Sequence, residues 1–383
     1  MNRASFKSLP RYVLFAVLSA AATGCVGGRD GDGYVWTLPE HFPAPSVPAD
    51  NPMSTEKVEL GRHLFYDRRL SADESMSCAT CHEQRLAFTD AQRVSQGITG
   101  QSTPRSSMSL ANVAYSSTLT WANPLLGRLE NQAMVPMFGE DPVELGLAGK
   151  ETVFLDKLRA DPRYVRMFAA AYPDDAEPFA VERVVQALAA FERTLISADS
   201  AYDRFLAGDD EAMSESALRG MELFFSERLE CFHCHGGFNF SDAVDHEGLP
   251  VPESAFHNTG LYNLDGNGAY PDGNTGVREI SEDDADMGRF KAPTLRNIAV
   301  TAPYMHDGSI DDLDGVLRHY AMGGRRIESG PYAGEGFASP LKSQFVPGFV
   351  LDDGERRDVL AFLDSLTDEA FLTNPRFADP WLP

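Results

Sequence analysis

Cys78-Ala79-Thr80-Cys81-His82 and Cys231-Phe232-His233-Cys234-His235 are two copies of one pattern, Cys-x-x-Cys-His, in a chain of 383 residues. The pattern has a chemical reason. Two thiols at that spacing form thioethers with the two vinyl groups of one haem, and the adjacent histidine meets the iron from the proximal side. The competing reading is a zinc site built from two Cys-x-x-Cys knuckles. Such knuckles sit within a few tens of residues of each other, whereas these lie about 150 residues apart. Two covalent c-type haems are therefore expected. Cys78, Cys81, Cys231 and Cys234 would attach them, and His82 and His235 would be the proximal iron ligands.

The chain has 5 cysteines, so one remains. Cys25 follows a basic start (Arg3, Lys7, Arg11) and an apolar run from Tyr12 to Ala22. That run is too short to span a bilayer as a helix and reads as the core of a signal peptide. The small residues Ala22-Thr23-Gly24 before Cys25 resemble a bacterial lipobox, which makes 1–24 a lipoprotein signal and Cys25 the lipidated N-terminus. The alternative is an ordinary signal peptide that leaves a spare thiol. Lipidation leaves none in an oxidising compartment. Covalent haem attachment also requires export. The expectation is a periplasmic protein held to a membrane by its lipid anchor alone, at the outer rather than the inner membrane. No other segment reads as membrane-spanning.

Working outward from the motifs, residues 25–53 are rich in Gly, Pro and Asp and read as a flexible tether. Residues 54–205 would form a first haem domain and 206–383 a second. A helix is expected after Ser54 through Leu60, Leu64 and Phe65, and another near Ser214 to Phe225, each leading into a haem motif. From Phe179 to Ile196, Val181, Val184, Val185, Leu188, Phe191 and Leu195 recur at helical spacing. Ser309 is expected to cap a helix running to about Tyr320, and a last helix spans Glu355 to Leu366. Residues 85–121 and 241–290 show no period. No segment alternates like a strand. The class is mostly α: two cytochrome c-like haem domains with long irregular loops. The formal net charge of −24 argues against nucleic acid as a partner.

The sixth position of each iron decides between electron transfer and chemistry. No histidine occurs from Glu83 through Phe232, so the first iron lacks a local distal histidine. Met108, Met134 and Met137 lie in that stretch but suit core packing better. An open iron that binds a small oxidant is the sharper expectation.

Several stretches carry a resemblance. They are Leu60-Gly61-Arg62-His63-Leu64-Phe65-Tyr66-Asp67-Arg68-Arg69-Leu70-Ser71, Gln132-Ala133 with Pro142-Val143-Glu144-Leu145-Gly146, Lys291-Ala292-Pro293-Thr294-Leu295-Arg296-Asn297, and Thr301-Ala302-Pro303-Tyr304-Met305-His306-Asp307-Gly308-Ser309. With the paired motifs, the chain resembles bacterial di-haem peroxidases of the cytochrome c peroxidase and MauG superfamily over nearly all its mature length. The runs Met137 to Pro142 and Phe256 to Asn263 are most similar to the MbnH-type branch.

The resemblance implies that the first haem reacts with hydrogen peroxide and the second is six-coordinate. It implies that Glu144 is the distal acid/base and Gln132 its neighbour, although the gap between them is longer than in typical members. Trp121 would lie between the haems as a hole relay. Asn112, Thr301 and Pro303 would hold one structural calcium ion. Two departures point toward the MauG side. Family peroxidases block the first iron with a loop histidine, and the loop from Gln96 to Gln101 has none. They also ligate the second iron with methionine, where this chain has Tyr320. Phenolate stabilises oxidised iron, whereas thioether favours the reduced state. Met322 is the alternative ligand. His63, His246, His257 and His319 receive no role and read as surface or structural residues.

The implied activity is formation of a bis-Fe(IV) state by peroxide and oxidation of a tryptophan on a periplasmic partner protein to kynurenine. Two alternatives stand beside it: a cytochrome c peroxidase that detoxifies peroxide, and a non-enzymatic di-haem electron carrier.

Overall fold

The computed structural model describes residues 34–382. The signal-peptide reading of 1–24 and the lipidation of Cys25 lie outside the described residues. Among the described residues, no helix is long and apolar enough to cross a membrane.

Helices dominate. In chain order they are α1 Thr55–Tyr66, α2 Cys78–Cys81, α3 Leu129–Phe138, α4 Glu151–Arg159, α5 Pro162–Ala171 and α6 Val181–Arg193. There follow α7 Ala201–Leu206, α8 Glu215–Phe224, α9 Arg278–Ser281, α10 Leu313–Ala321, α11 Asp353–Asp364 and α12 Glu369–Thr373. Two antiparallel ribbons complete the fold: β1 (Phe256–His257) pairs with β2 (Phe290–Lys291), and β3 (Arg326–Ile327) with β4 (Gly334–Glu335).

One device is used twice. Ser54 caps α1 by accepting from the Lys57 amide, and Leu60, Leu64 and Phe65 are buried on one face. α1 crosses α6 at Gly61, where a Cβ would stand 1.8 Å from the Ala187 carbonyl oxygen and 2.9 Å from Phe191 Cβ. α8, capped by Ser214, crosses α11 at Gly220, where a Cβ would stand 1.9 Å from the Asp358 carbonyl oxygen and 2.9 Å from Phe362 Cβ. Each crossing is as close as backbone permits, and each precedes a Cys-x-x-Cys-His turn. The first apolar core gathers Leu64, Phe65, Phe88, Phe168 and Phe191 against Cys78. The second gathers Phe224, Phe240, Leu317 and Phe362 against Cys231.

The structure departs from the sequence reading in four places. Residues 34–53 are not a free tether: Trp36, Leu38, Phe42 and Met53 are buried against Tyr115 and Ala190. Their spacing follows no helical or strand period, so the apolar anchors were hidden among prolines. The helix before Tyr320 is capped by Asp312, which accepts from the Gly315 amide, and not by Ser309. α11 is not the last helix. α12 follows and inserts Phe371, with Leu372 and Phe377, into the first core. The two units are therefore not split at 205/206: the C-terminal segment returns to the first, while Tyr202 and Phe205 on α7 pack on the second.

A buried polar network, the seam, braces the second unit and ties it to the first. Arg296, fully buried, donates to both carboxylate oxygens of Asp203 at 2.8 and 3.0 Å. Asp368 accepts from the amides of Ala198 and Asp199, and its own amide donates to Asn297 Oδ1.

Candidate functional site: two haem cavities

Both Cys-x-x-Cys-His turns present their histidine in the same way. His82 Nδ1 donates to the Phe88 carbonyl at 2.7 Å, and His235 Nδ1 donates to the Phe240 carbonyl at 3.0 Å. Phe88 and Phe240 both adopt the left-handed region, with φ of 64° and 49°, which returns the chain toward the ring. Fixing the proton on Nδ1 leaves Nε2 as a lone-pair donor, the form an iron takes. Burial lowers the pKa of both imidazoles and keeps that neutral form.

Beside Cys231, Cys234 and His235 lies a cavity whose empty space, its open mouth included, is about 1240 Å³. Its walls are mostly apolar, and Tyr320 and Trp121 line it. Two polar groups suit the acidic edge of a haem. His306 is stacked on Phe290 at 3.6 Å and leaves its buried Nε2 without a partner. Lys291, buried, donates to the Thr118 carbonyl at 2.8 Å, and burial lowers its pKa to about 8. An apolar cavity with two attachment thiols, a lone-pair imidazole, a phenol and these two nitrogen groups fits haem.

The first haem region is built around Cys78, Cys81 and His82. Glu144 is close enough to both cysteines to act on them electrostatically. Its backbone is clamped from two sides. The Ile98 amide donates to the Glu144 carbonyl at 2.9 Å, and the Leu145 amide donates to the Pro136 carbonyl at 2.9 Å. The loop from Gln96 to Gln101 thus lies directly on the Glu144 segment. Gly97 permits this, since a Cβ there would stand 1.9 Å from the Val143 carbonyl oxygen. Burial raises the Glu144 carboxyl pKa. Gln132 is half-buried on α3, one turn before Pro136 and so on the same helix face. Met137 is fully buried in the first core, and Met134 is exposed.

Trp121 connects the two regions. Its Nε1 donates to the Ser106 carbonyl at 2.8 Å, and its carbonyl accepts from Lys291 at 2.8 Å. Ser106 lies two residues from Met108, whose backbone borders His82. The indole therefore stands between the second cavity and the segment that passes the first haem region.

Asn112, expected as a calcium ligand, is buried at the junction of the units. Asn112 spends its side chain on the seam: Oδ1 accepts from the Ser197 amide at 2.7 Å, and Nδ2 donates to the Ser197 carbonyl and to Asn239. It cross-links the backbone at Ser197 to Asn239.

Sequence reasoning also missed groups in the haem regions. His257 lines the second cavity and pairs with Asp242 at 2.5 Å. Burial acts against its charge, but the hydrogen bond to Asp242 raises its pKa. His319 is buried next to Tyr320 with neither ring nitrogen partnered. Glu192, on α6, is buried beside Cys78, and desolvation raises its pKa to about 8. A carboxylate within the apolar face of α6 was the available signal. His63 bonds the Glu59 carbonyl and meets Trp381 edge-on at 5.2 Å, and His246 bonds the Glu247 carbonyl and meets Phe238 edge-on at 6.0 Å.

With this geometry in place, the chain belongs to the di-haem cytochrome c peroxidase family, whose model matches residues 55–211. It is a peroxide-using oxidoreductase with two haem cofactors. It is 33% identical to the methylamine utilization protein MauG of Methylorubrum extorquens over 88% of this chain and 85% of that one. It is 33% identical to cytochrome-c peroxidase IdrP1 of Denitromonas iodatirespirans over 97% and 96% of the two chains. Among solved structures, a MauG-like protein associated with microbial copper homeostasis superposes with a TM-score of 0.90 at 49% identity, covering 91% of this chain and 100% of that one.

Proposed function

We propose that this chain uses hydrogen peroxide to oxidise a tryptophan on a separate exported protein. Tyr320 carries the reading. A phenol lines the second haem cavity where a cytochrome-fed peroxidase would need a thioether, and phenolate suits a centre that stores an oxidising equivalent. Haem held by the Cys78–Cys81–His82 and Cys231–Cys234–His235 turns would supply the redox chemistry with peroxide. The protein supplies the rest. Glu144 takes the proton from the peroxide oxygen nearer the iron and returns it to the departing oxygen, and its raised pKa suits both halves of that task. Gln132, on the adjacent helix face, orients the peroxide. Trp121 passes electrons between the two sites. The loop from Gln96 to Gln101 offers no histidine and is fastened to the Glu144 segment, which supports a first iron that reacts without prior reduction.

The solved relative with 49% identity is described as MauG-like and linked to copper homeostasis. The partner is accordingly sought among exported copper-handling proteins. The signal segment and Cys25 support a periplasmic enzyme tethered by lipid to a membrane, the outer one in our reading. A second reading, peroxide detoxification with electrons from a small cytochrome, draws support from the relatives named cytochrome-c peroxidase.

The test combines holoenzyme, peroxide and a copper-handling protein encoded nearby, with the partner's tryptophans mapped by mass spectrometry. Peroxide-dependent conversion of one tryptophan to kynurenine, lost in Glu144→Gln, is expected. An unmodified partner, with peroxide turnover driven instead by a reduced cytochrome, would favour detoxification.

A further inference from the structure

Of the 11 tyrosines among the described residues, Tyr332 is the exposed one, at 48%. It sits in the turn between β3 and β4. Its ring meets Tyr262 edge-on at 5.7 Å between centroids, and Tyr262 meets Tyr270 edge-on at 5.5 Å. Tyr270 lines the second haem cavity and lies within electrostatic reach of Tyr320. Tyr262 and Tyr270 are both buried. Three phenols therefore form an unbroken line from the cavity that holds Tyr320 to solvent.

The line is held in place at each step. The Asn263 side chain donates to the Glu335 carbonyl, and the Arg325 amide donates to the Gly260 carbonyl, which fastens the β3–β4 ribbon to the segment carrying Tyr262. Gly334 and Gly336 let the two backbones touch: a Cβ at either would stand 2.3 Å or less from the carbonyl oxygen of Asn263 or Gly260. Tyr262 has a place for its proton, since it donates to Asp307 at 2.5 Å. Tyr270 donates to the Asn258 amide oxygen at 2.9 Å, keeps its proton, and bridges the electron's path to Tyr262 without itself being oxidised. Oxidising a phenol at moderate potential requires the proton to leave with the electron. Burial acts against charge on Asp307, but hydrogen bonds from Tyr262 and Ser309 help hold its pKa below the ordinary value, so it accepts from Tyr262 as an anion.

We propose that Tyr332 is a surface oxidation site, fed from the second haem through Tyr270 and Tyr262, at which small phenolic one-electron donors are oxidised. Tyr332 loses one electron inward along the line and its phenolic proton to solvent. As the electron passes, Tyr262 hands its proton to Asp307 and recovers it. A phenol at the surface then restores Tyr332 by giving up one electron and one proton. Two such events supply the two electrons and two protons that reduce one peroxide to two waters. Electron tunnelling falls steeply with distance, so two short hops outrun one long one. This inference needs only the family's peroxide chemistry, and failure of the partner-tryptophan reading leaves it standing.

The experiment treats holoenzyme with peroxide and a biotinylated phenol, with no partner protein, and maps covalent phenol adducts by mass spectrometry. Adduct at Tyr332 is expected to dominate in the unaltered protein. It should vanish in Tyr332→Phe and fall at least tenfold in Tyr262→Phe, with circular dichroism and the haem spectrum reporting that each variant is folded. Asp307→Asn should slow labelling and make it more dependent on alkaline pH. Equal labelling at Tyr332 in Tyr262→Phe would overturn the route. Peroxide consumption with labelling elsewhere, or with none, would overturn the site itself, and that result needs only the unaltered protein.

Discussion

Glu144, Tyr320 and Glu192 show what single residues contribute and how far each is legible. Glu144 stands in a segment held by Ile98 and Pro136, and its carboxyl has no cationic neighbour offsetting its burial. Glu144→Gln keeps the shape and removes the proton acceptor. Stopped-flow measurement should show peroxide consumption slower by about 10²- to 10⁴-fold, whereas unchanged kinetics would remove Glu144 from the chemistry. Tyr320→Phe should abolish storage of the second oxidising equivalent, read as loss of any long-lived near-infrared band. Glu192 titrates in the opposite sense to an ion-paired carboxylate. Its folded pKa is raised to about 8 from 4.5, so the folded state holds the proton more tightly across that window. Stability then falls as pH rises from 4.5 toward 8, by at most about 1.4 kcal/mol per pH unit. Thermal melts should show this slope, and Glu192→Gln should flatten it. The haem residues were readable because covalent attachment demands a fixed spacing. Glu192 and His257 were not, because their roles depend on what the folded chain places opposite them.

Helices were legible where caps and apolar period agree, as at Ser54 with Leu60 and Leu64, or along Val184, Leu188 and Phe191. They were misread where two polar residues competed for one cap, as with Ser309 and Asp312. α12 escaped because five residues carry no period, and its burial comes from docking on the first core. The same tertiary origin explains residues 34–53, where isolated apolar side chains anchor an irregular chain. The two helix crossings provide the prediction at this scale. A methyl at Gly61 or Gly220 would meet a backbone carbonyl, which cannot rotate away. Gly61→Ala and Gly220→Ala should each cost about 1–3 kcal/mol or more in chemical denaturation. A cost below about 0.5 kcal/mol would mean that the helices separate without penalty.

At the scale of the whole molecule, the sequence indicated two haem units but not how they interlock. The C-terminal segment returns to the first unit, and the seam around Arg296, Asp203, Asn112 and Asp368 is made of polar residues that look unremarkable in sequence. Burial alone would raise the Asp203 pKa, yet Arg296 more than offsets this and lowers it. The pair's stabilisation is therefore present above the ordinary pKa of 3.8 and is lost as pH falls through the lowered folded value. Acid melts should lose the seam below about pH 4, and Asp203→Asn should be less stable at neutral pH with a shallower acid limb. An unchanged acid limb would place the seam's stability elsewhere.

The central claim is a first iron open to peroxide in the resting enzyme and a second able to store the other equivalent. One measurement tests it most directly: stoichiometric peroxide is added to the as-isolated diferric protein, without prior reduction, and the visible and near-infrared spectra are followed. Rapid formation of a long-lived, two-electron-oxidised species with a near-infrared band is expected, with the band absent in Tyr320→Phe. No reaction until one haem is reduced would contradict the claim and return the protein to the reductively activated, cytochrome-fed peroxidases.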